Sequence, residues 1–204
     1  MNDKSRMLSG LLYRASDQEL REDHKKALRL TRQYNRTTEA ELETRRDILH
    51  ELLGSVKENC HIEPPFQCDY GCHIQVGKNF FANYDCLILD VCQVTIGDDV
   101  MLAPRVGIYT AAHPIDAAVR CDGLEYGKPI TIGNRVWIGA NTVINPGVTI
   151  GDDVVIGSGS VVTKDIPSHV IAVGNPCRVL REINEDDRLY WENERKKYDE
   201  DKEE

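Results

Sequence analysis

Ile132, Ile138, Ile144, Ile150, Ile156 and Val162 follow one another at intervals of six residues without a gap. Few folds tolerate such a rule. Most of these aliphatics are followed by a small or turn-forming residue (Gly133, Gly139, Asn145, Gly151, Gly157), and four positions on by a small or β-branched one (Val136, Thr142, Val148, Val154, Ser160). The phase extends upstream through Ile96, Leu102 and Ile108, and pairs such as Ile74/Val76 and Cys86/Ile88 keep the spacing with a shift of two, which preserves strand facing. A helical stripe repeats at 3.6, so a period of six selects short strands joined by repeated turns. The spacing predicts a mainly β chain coiled into a triangular prism, with stacked aliphatics inside and glycine and asparagine supplying the turn dihedrals.

The flanks read differently. Ser16 with Glu19 and Thr38 with Glu41 match the capping-box pattern, and Leu20, Ala27, Leu28, Leu42, Ile48, Leu49, Leu52 and Leu53 recur at helical spacing before Gly54. Two helices, about 16–34 and 38–53, are expected within an N-terminal segment of residues 1–57. The repeat covers 58–181, and residues 182–204 form a charged tail, expected as a short helix and a frayed acidic end. Ten acidic residues against five basic ones between Glu185 and Glu204 account for more than half of the net charge of −9. That balance argues against nucleic-acid binding, which needs a basic surface, yet leaves room for a local basic site. No window is apolar enough for a membrane span and the N-terminus lacks an apolar signal core, so a cytoplasmic protein is expected. Seven cysteines, odd in number and irregularly spaced, are expected as free thiols.

The hexads fail between Ile108 and Ile130, an excursion placed at 109–129 that contains His113-Pro114 and an Asp-Gly turn signal. A prism with a full interior does its chemistry outside, and His113 is the residue there that can act as a base near neutral pH.

The runs FFANYDCLILDVCQVTIGDDVMLAP, YTAAHPID and GKPITIGNRVWIGANTVINPGVTIGDDVVIGSGSVVTKDIPSHVIAVGNPCRV, behind a helical N-terminal extension, resemble the maltose and galactoside O-acetyltransferases among the hexapeptide-repeat acyltransferases, the maltose branch more closely. The resemblance spans about Ser9 to Arg181. It implies a left-handed coil, a homotrimer with sites between subunits, and transfer of an acetyl group from acetyl-CoA to a hydroxyl of a small sugar, without an acyl-enzyme.

The resemblance also assigns residues. His113 matches the general base, and Glu125 is placed to hold the imidazole tautomer or bind a sugar hydroxyl, or is a solvated loop carboxylate. Asp69, Asn83 and Asp90 match the sugar pocket, although asparagine and aspartate also serve as turn residues in such coils. Asp17 reaches the pocket from the helices or caps one of them. Val91 stands where the galactoside branch has a second aspartate. For the CoA arm the matching positions are Ala140 and Ser158, with the amide near Ala140 a candidate oxyanion donor. Trp137 packs near the thioester or in an ordinary interface, and Thr163, Lys164, Arg178 and Arg181 match the distal CoA contacts, a basic cluster suited to phosphates. His61, Cys68, Cys72 and His73 lack the spacing of a zinc site, so no metal is expected. Two other readings are the same chemistry on an antibiotic or amino sugar, and a noncatalytic solenoid scaffold.

Overall fold

The structure, a computed structural model, describes residues 1–203. Three helices precede the coil: α1 (Asp3–Leu8), α2 (Gln18–Tyr34) and α3 (Leu42–Leu52). The short α1 has no apolar period to betray it; the Asn2 side chain caps it by accepting from the Ser5 amide at 2.9 Å. Neither expected capping box starts a helix. Asp17 caps α2, accepting from the Glu19 and Leu20 amides at 2.9 and 3.2 Å, and α3 begins at Leu42, four residues later than predicted. Glu41 does reach back to the Thr38 amide at 2.8 Å, but within the turn that precedes α3.

The solenoid then runs in coils of three strands. Its first coil is β1 (Ser55–Val56), β2 (His61–Ile62) and β3 (Phe66–Cys68); the second is β4 (Ile74–Val76), β5 (Phe81–Ala82) and β6 (Cys86–Leu89); the third is β7 (Val94–Ile96), β8 (Met101–Leu102) and β9 (Gly107–Tyr109). Here the excursion leaves as β10 (Ala111–Ala112), α4 (Ala117–Cys121) and β11 (Tyr126–Gly127), with β10 and β11 antiparallel. The coil resumes with β12 (Ile130–Ile132), β13 (Trp137–Ile138) and β14 (Val143–Ile144), then β15 (Thr149–Ile150), β16 (Val155–Ile156) and β17 (Val161–Val162), and closes on β18 (Val170–Val173). Every pairing between coils is parallel and in register, as in Ile96 with Ile132 and Leu102 with Ile138. The first face therefore stacks β1, β4, β7, β12 and β15, the second β2, β5, β8, β13, β16 and β18, and the third β3, β6, β9, β14 and β17. This is the mainly β hexapeptide solenoid that the period of six predicts.

The hexad residues form one column, with Ile132, Ile138, Ile144, Ile150, Ile156 and Val162 all buried. Each buried aliphatic contributes roughly 1.5–3 kcal/mol, so the column as a whole holds the prism. The glycines that directly follow the hexad aliphatics act differently from expectation. None of Gly133, Gly139, Asn145, Gly151 or Gly157 has a positive φ; the left-handed turn positions fall instead to Asn59, Asn79, Asp99, Arg135, Asp153 and His169 at one edge, to Asp85, Arg105, Asn141 and Gly159 at another, and to Gly147 at the third. Gly139 is needed for closeness: a Cβ there would lie 2.6 Å from the Ser158 amide nitrogen of the next coil.

At the N-terminal end α2 covers the first coil. Of its buried face, Ala27, Leu30 and Tyr34 join the column, the Tyr34 hydroxyl donates to the Ile62 carbonyl, and the Asn35 amide stands in for a strand, pairing with the Phe66 carbonyl and amide at 2.8 and 2.9 Å. At the other end β19 (Arg178–Glu182) turns back antiparallel on β18 and leads into α5 (Glu185–Glu203). The expected short helix with a frayed tail is thus corrected to one helix of 19 residues. Arg188 pairs with both Glu185 and Glu192, and Lys197 with Glu194, which is the support a polar helix requires. Among the described residues no helix is long and apolar enough to cross a membrane, and all seven cysteines are free.

Candidate active site

The edge between the third face and the first carries the excursion. Beside it a cleft of about 410 Å³ is lined by Tyr13, Ala15, Leu20, Arg21, His24, Lys25, Asp69, Tyr70, Val91 and Glu125. Two of the predicted carboxylates, Asp69 and Glu125, thus share a wall, one from the first coil and one from the excursion. Burial, followed by the charge of Asp90, pushes the Asp69 carboxyl up to about 6. Glu125 meets the N-terminal segment: its amide and carbonyl pair with those of Tyr13 at 3.1 and 2.9 Å, and the Tyr13 hydroxyl donates to Oε2 at 3.2 Å.

Asp90 has a different place from the one expected. It is fully buried, and its carboxylate accepts from the backbone amides of Asp69 (3.1 Å), Tyr70 (2.9 Å) and His73 (3.3 Å). Burial raises its carboxyl to about 6 against the pull of those amides. No oxygen of Asp90 faces the cleft surface, so its part is to shape the turn that presents Asp69. Two histidines complete that turn. His73 Nδ1 donates to the Asp90 carbonyl at 2.6 Å, and His24 Nδ1 to the Asp69 carbonyl at 2.7 Å, since a carbonyl can only accept. Burial lowers the His73 pKa, which keeps that ring neutral.

His113 directly follows β10 and is exposed. The β10–β11 register pairs Ala112 with Tyr126, so His113 and Glu125 leave the hairpin at the same end. Arg120 secures the turn beyond it by donating to the Pro114 and Ile115 carbonyls at 2.8 and 2.9 Å. Thr163 and Lys164, exposed just after β17, lie on this same edge two coils further along the axis.

Four of the remaining predicted residues lie on the other edge of the third face. Asn83 sits between β5 and β6, Ala140 between β13 and β14, Ser158 between β16 and β17, and Arg178 where β19 turns back from β18. Asn83 Oδ1 accepts from the Tyr84 amide at 2.8 Å. Trp137 pairs in register with Met101 on the second face, and both project outward, 50% and 51% exposed. The predicted site residues of one chain therefore fall on two edges of one face, separated by its width, roughly 20 Å of extended chain.

Two further predicted residues are engaged away from the cleft. Asp17 is engaged by the helix amides it caps and does not line the cleft. The Arg181 guanidinium is held by Asp187 in a bidentate pair at 2.6 and 2.7 Å, which ties β19 to the start of α5. Sequence reasoning missed Tyr13, His24 and Met101, whose partners lie far away in the chain. A larger cavity of about 790 Å³ opens at the N-terminal end beside Arg45, Lys57 and His61, and contains none of the predicted site residues.

Comparison with known proteins bears on the family and the fold. Residues 6–57 match the maltose acetyltransferase hexapeptide capping motif, and residues 129–164 match the bacterial transferase hexapeptide, six repeats. Over 91% of this chain and 92% of its own length, the galactoside O-acetyltransferase of Escherichia coli K12 is 45% identical. The chain belongs to the maltose and galactoside O-acetyltransferase family. It is accordingly an acetyltransferase. The crystal structure of a maltose O-acetyltransferase from Clostridium difficile 630 is 57% identical and superposes with a TM-score of 0.90, over 91% of this chain and 99% of that one. A galactoside acetyltransferase in complex with coenzyme A, 45% identical, also superposes at 0.90, over 92% and 94%.

Proposed function

We propose that this acetyltransferase moves the acetyl group of acetyl-CoA directly to a hydroxyl of a small sugar, with His113 as general base, in a site completed by a second copy of the chain. The observation that carries this reading is the division of the site residues between two edges of one face. His113, Asp69, Glu125, Thr163 and Lys164 stand on one edge, and Asn83, Ala140, Ser158, Arg178 and the Trp137–Met101 pair on or beside the other. No side chain spans that width, whereas the closed threefold packing of identical prisms brings the two edges together and covers the exposed Trp137 and Met101.

In such a site the acceptor lies in the cleft against Asp69 and Glu125, which accept hydrogen bonds from its hydroxyls. The reacting hydroxyl gives its proton to His113 as its oxygen attacks the thioester carbonyl; the tetrahedral intermediate collapses, the C–S bond breaks, and the proton passes to the departing thiolate. A backbone amide beside Ala140 faces the developing oxyanion. The CoA arm runs along the axis past Ala140 and Ser158, where close coil packing leaves backbone groups accessible. Arg178 and Lys164 receive the phosphates one to two coils beyond Ala140, an axial rise of roughly 5–10 Å at ~4.8 Å per coil.

Thiol release from acetyl-CoA with maltose, glucose and a β-galactoside as acceptors tests the chemistry. His113→Ala is expected to keep its fold and lose about 10²–10⁴-fold in turnover; equal release by both proteins would overturn the role of the base. Subunit exchange tests the shared site. Mixing inactive His113→Ala and Asn83→Ala chains places one intact site in each mixed trimer, so random exchange should restore about a quarter of wild-type activity. No recovery after verified exchange would place the whole site within one chain.

A further inference from the structure

The hydroxyl of Tyr13 is the feature of the cleft that the proposed chemistry leaves unexplained. Its ring is 1% exposed and packs with Met7, Leu20, Tyr70 and Val91 in a small core of its own. For that packing alone phenylalanine would serve. The hydroxyl instead donates to Glu125 Oε2 at 3.2 Å, across 112 positions of sequence, and the same two residues exchange both backbone hydrogen bonds. Adjacent contacts reinforce the junction. Arg14 pairs with Asp122 of the excursion, Nη2 to Oδ2 at 2.6 Å, and Gly10 approaches β11 so closely that a Cβ would lie 3.1 Å from the Gly127 carbonyl oxygen. The segment from Gly10 to Arg14 is thus a strap that grips the excursion on the side away from β10.

We infer that Tyr13 is a positioning residue for acceptor recognition: it fixes the Glu125 carboxylate through Oε2 and leaves Oε1 directed at the cleft to accept from a sugar hydroxyl. The inference rests on the sugar-acetylating reading above and gives Glu125 the hydroxyl-binding role in preference to holding the His113 tautomer. Desolvation and the Glu125 charge hold the Tyr13 hydroxyl in its protonated, donating form. With Oε2 engaged, the carboxylate loses rotational freedom before the acceptor arrives, which lowers the ordering cost of binding. Asp69 in the same cleft supplies a second acceptor, so the pair suits a neutral polyhydroxylated ligand that offers two hydroxyl donors.

The test is Tyr13→Phe, which keeps the ring and removes only the hydroxyl, with acceptor and acetyl-CoA varied separately. The expected result is an acceptor kcat/KM lower by about tenfold, the worth of one hydrogen bond to a charged group, with the KM for acetyl-CoA unchanged. Glu125→Gln should show a similar loss, and the double variant should be no worse than Glu125→Gln alone, because both remove the same oriented acceptor. Wild-type acceptor kinetics in Tyr13→Phe, or losses that multiply in the double variant, would overturn the inference while His113→Ala still reports on the base. Absence of turnover by the wild type with every sugar would overturn both readings together.

Discussion

The carboxylate of Asp90 accepts the backbone amide of Tyr70 at 2.9 Å from one coil away, with no exposure of the aspartate to solvent. Two more amides, those of Asp69 and His73, converge on the same group. Asp90→Ala would leave three donors without their acceptor. The expected cost is about 2–4 kcal/mol and a fall in Tm of roughly 5–12 °C, read by calorimetry, with acceptor KM rising as the Asp69 turn loosens. An unchanged Tm would show that water replaces the carboxylate at no cost.

Asp69 offers a pH test. With its carboxyl raised to about 6, the stability linked to its protonated form is fully present below about pH 4 and lost as pH rises through about 6. Asp69→Asn cannot ionise. It is therefore expected to be more stable than wild type at pH 8, by ~1–2 kcal/mol after allowance for solvent screening, and to have no advantage at pH 4. Urea unfolding at the two pH values decides this; a variant less stable than wild type at pH 8 would mean that the ionised carboxylate is favourably held.

The basic residues near the C-terminal end separate into two groups. Lys164 and Arg178 are exposed, whereas Arg181 is engaged by Asp187. Lys164→Ala and Arg178→Ala should each raise the KM for acetyl-CoA by roughly tenfold, less at high salt. Arg181→Ala should leave that KM near wild type and loosen α5, seen as faster amide exchange in residues 185–195. A larger effect of Arg181 than of Lys164 on KM would mean that Asp187 releases it when the substrate binds.

Gly139→Ala tests the spacing of the coils. The added methyl would meet the Ser158 nitrogen at 2.6 Å and the Ile156 carbonyl oxygen at 2.8 Å, both backbone atoms that move only with the coil. A loss of about 2–3 kcal/mol is expected from such overpacking, with a matching fall in the denaturant midpoint. A neutral result would show that adjacent coils separate freely at this edge.

Much of the architecture was legible in the residues themselves. The six-residue period predicted strands whose inward positions, from Ile96 to Val162, are those buried in the structure, because a side chain repeating on one face of every coil has nowhere else to go. The break after Ile108 located the excursion and His113 for the same reason. Local signals were less decisive at the flanks: Asp17 displaced the Ser16 capping box, α1 carried no period, and the ion pairs of Arg188 extended α5 beyond the expected fraying.

Period and motif, then, determined the prism, the position of the excursion and the family, since each is written in residues close together or evenly spaced. Tertiary structure decided the function of each carboxylate. Asp69, Asp90 and Glu125 are alike as isolated acids, yet one lines the cleft, one is sealed beneath it by three amides, and one is held by Tyr13 from the far end of the chain. Those differences arise from burial and from partners on neighbouring coils, which no spacing along the chain encodes.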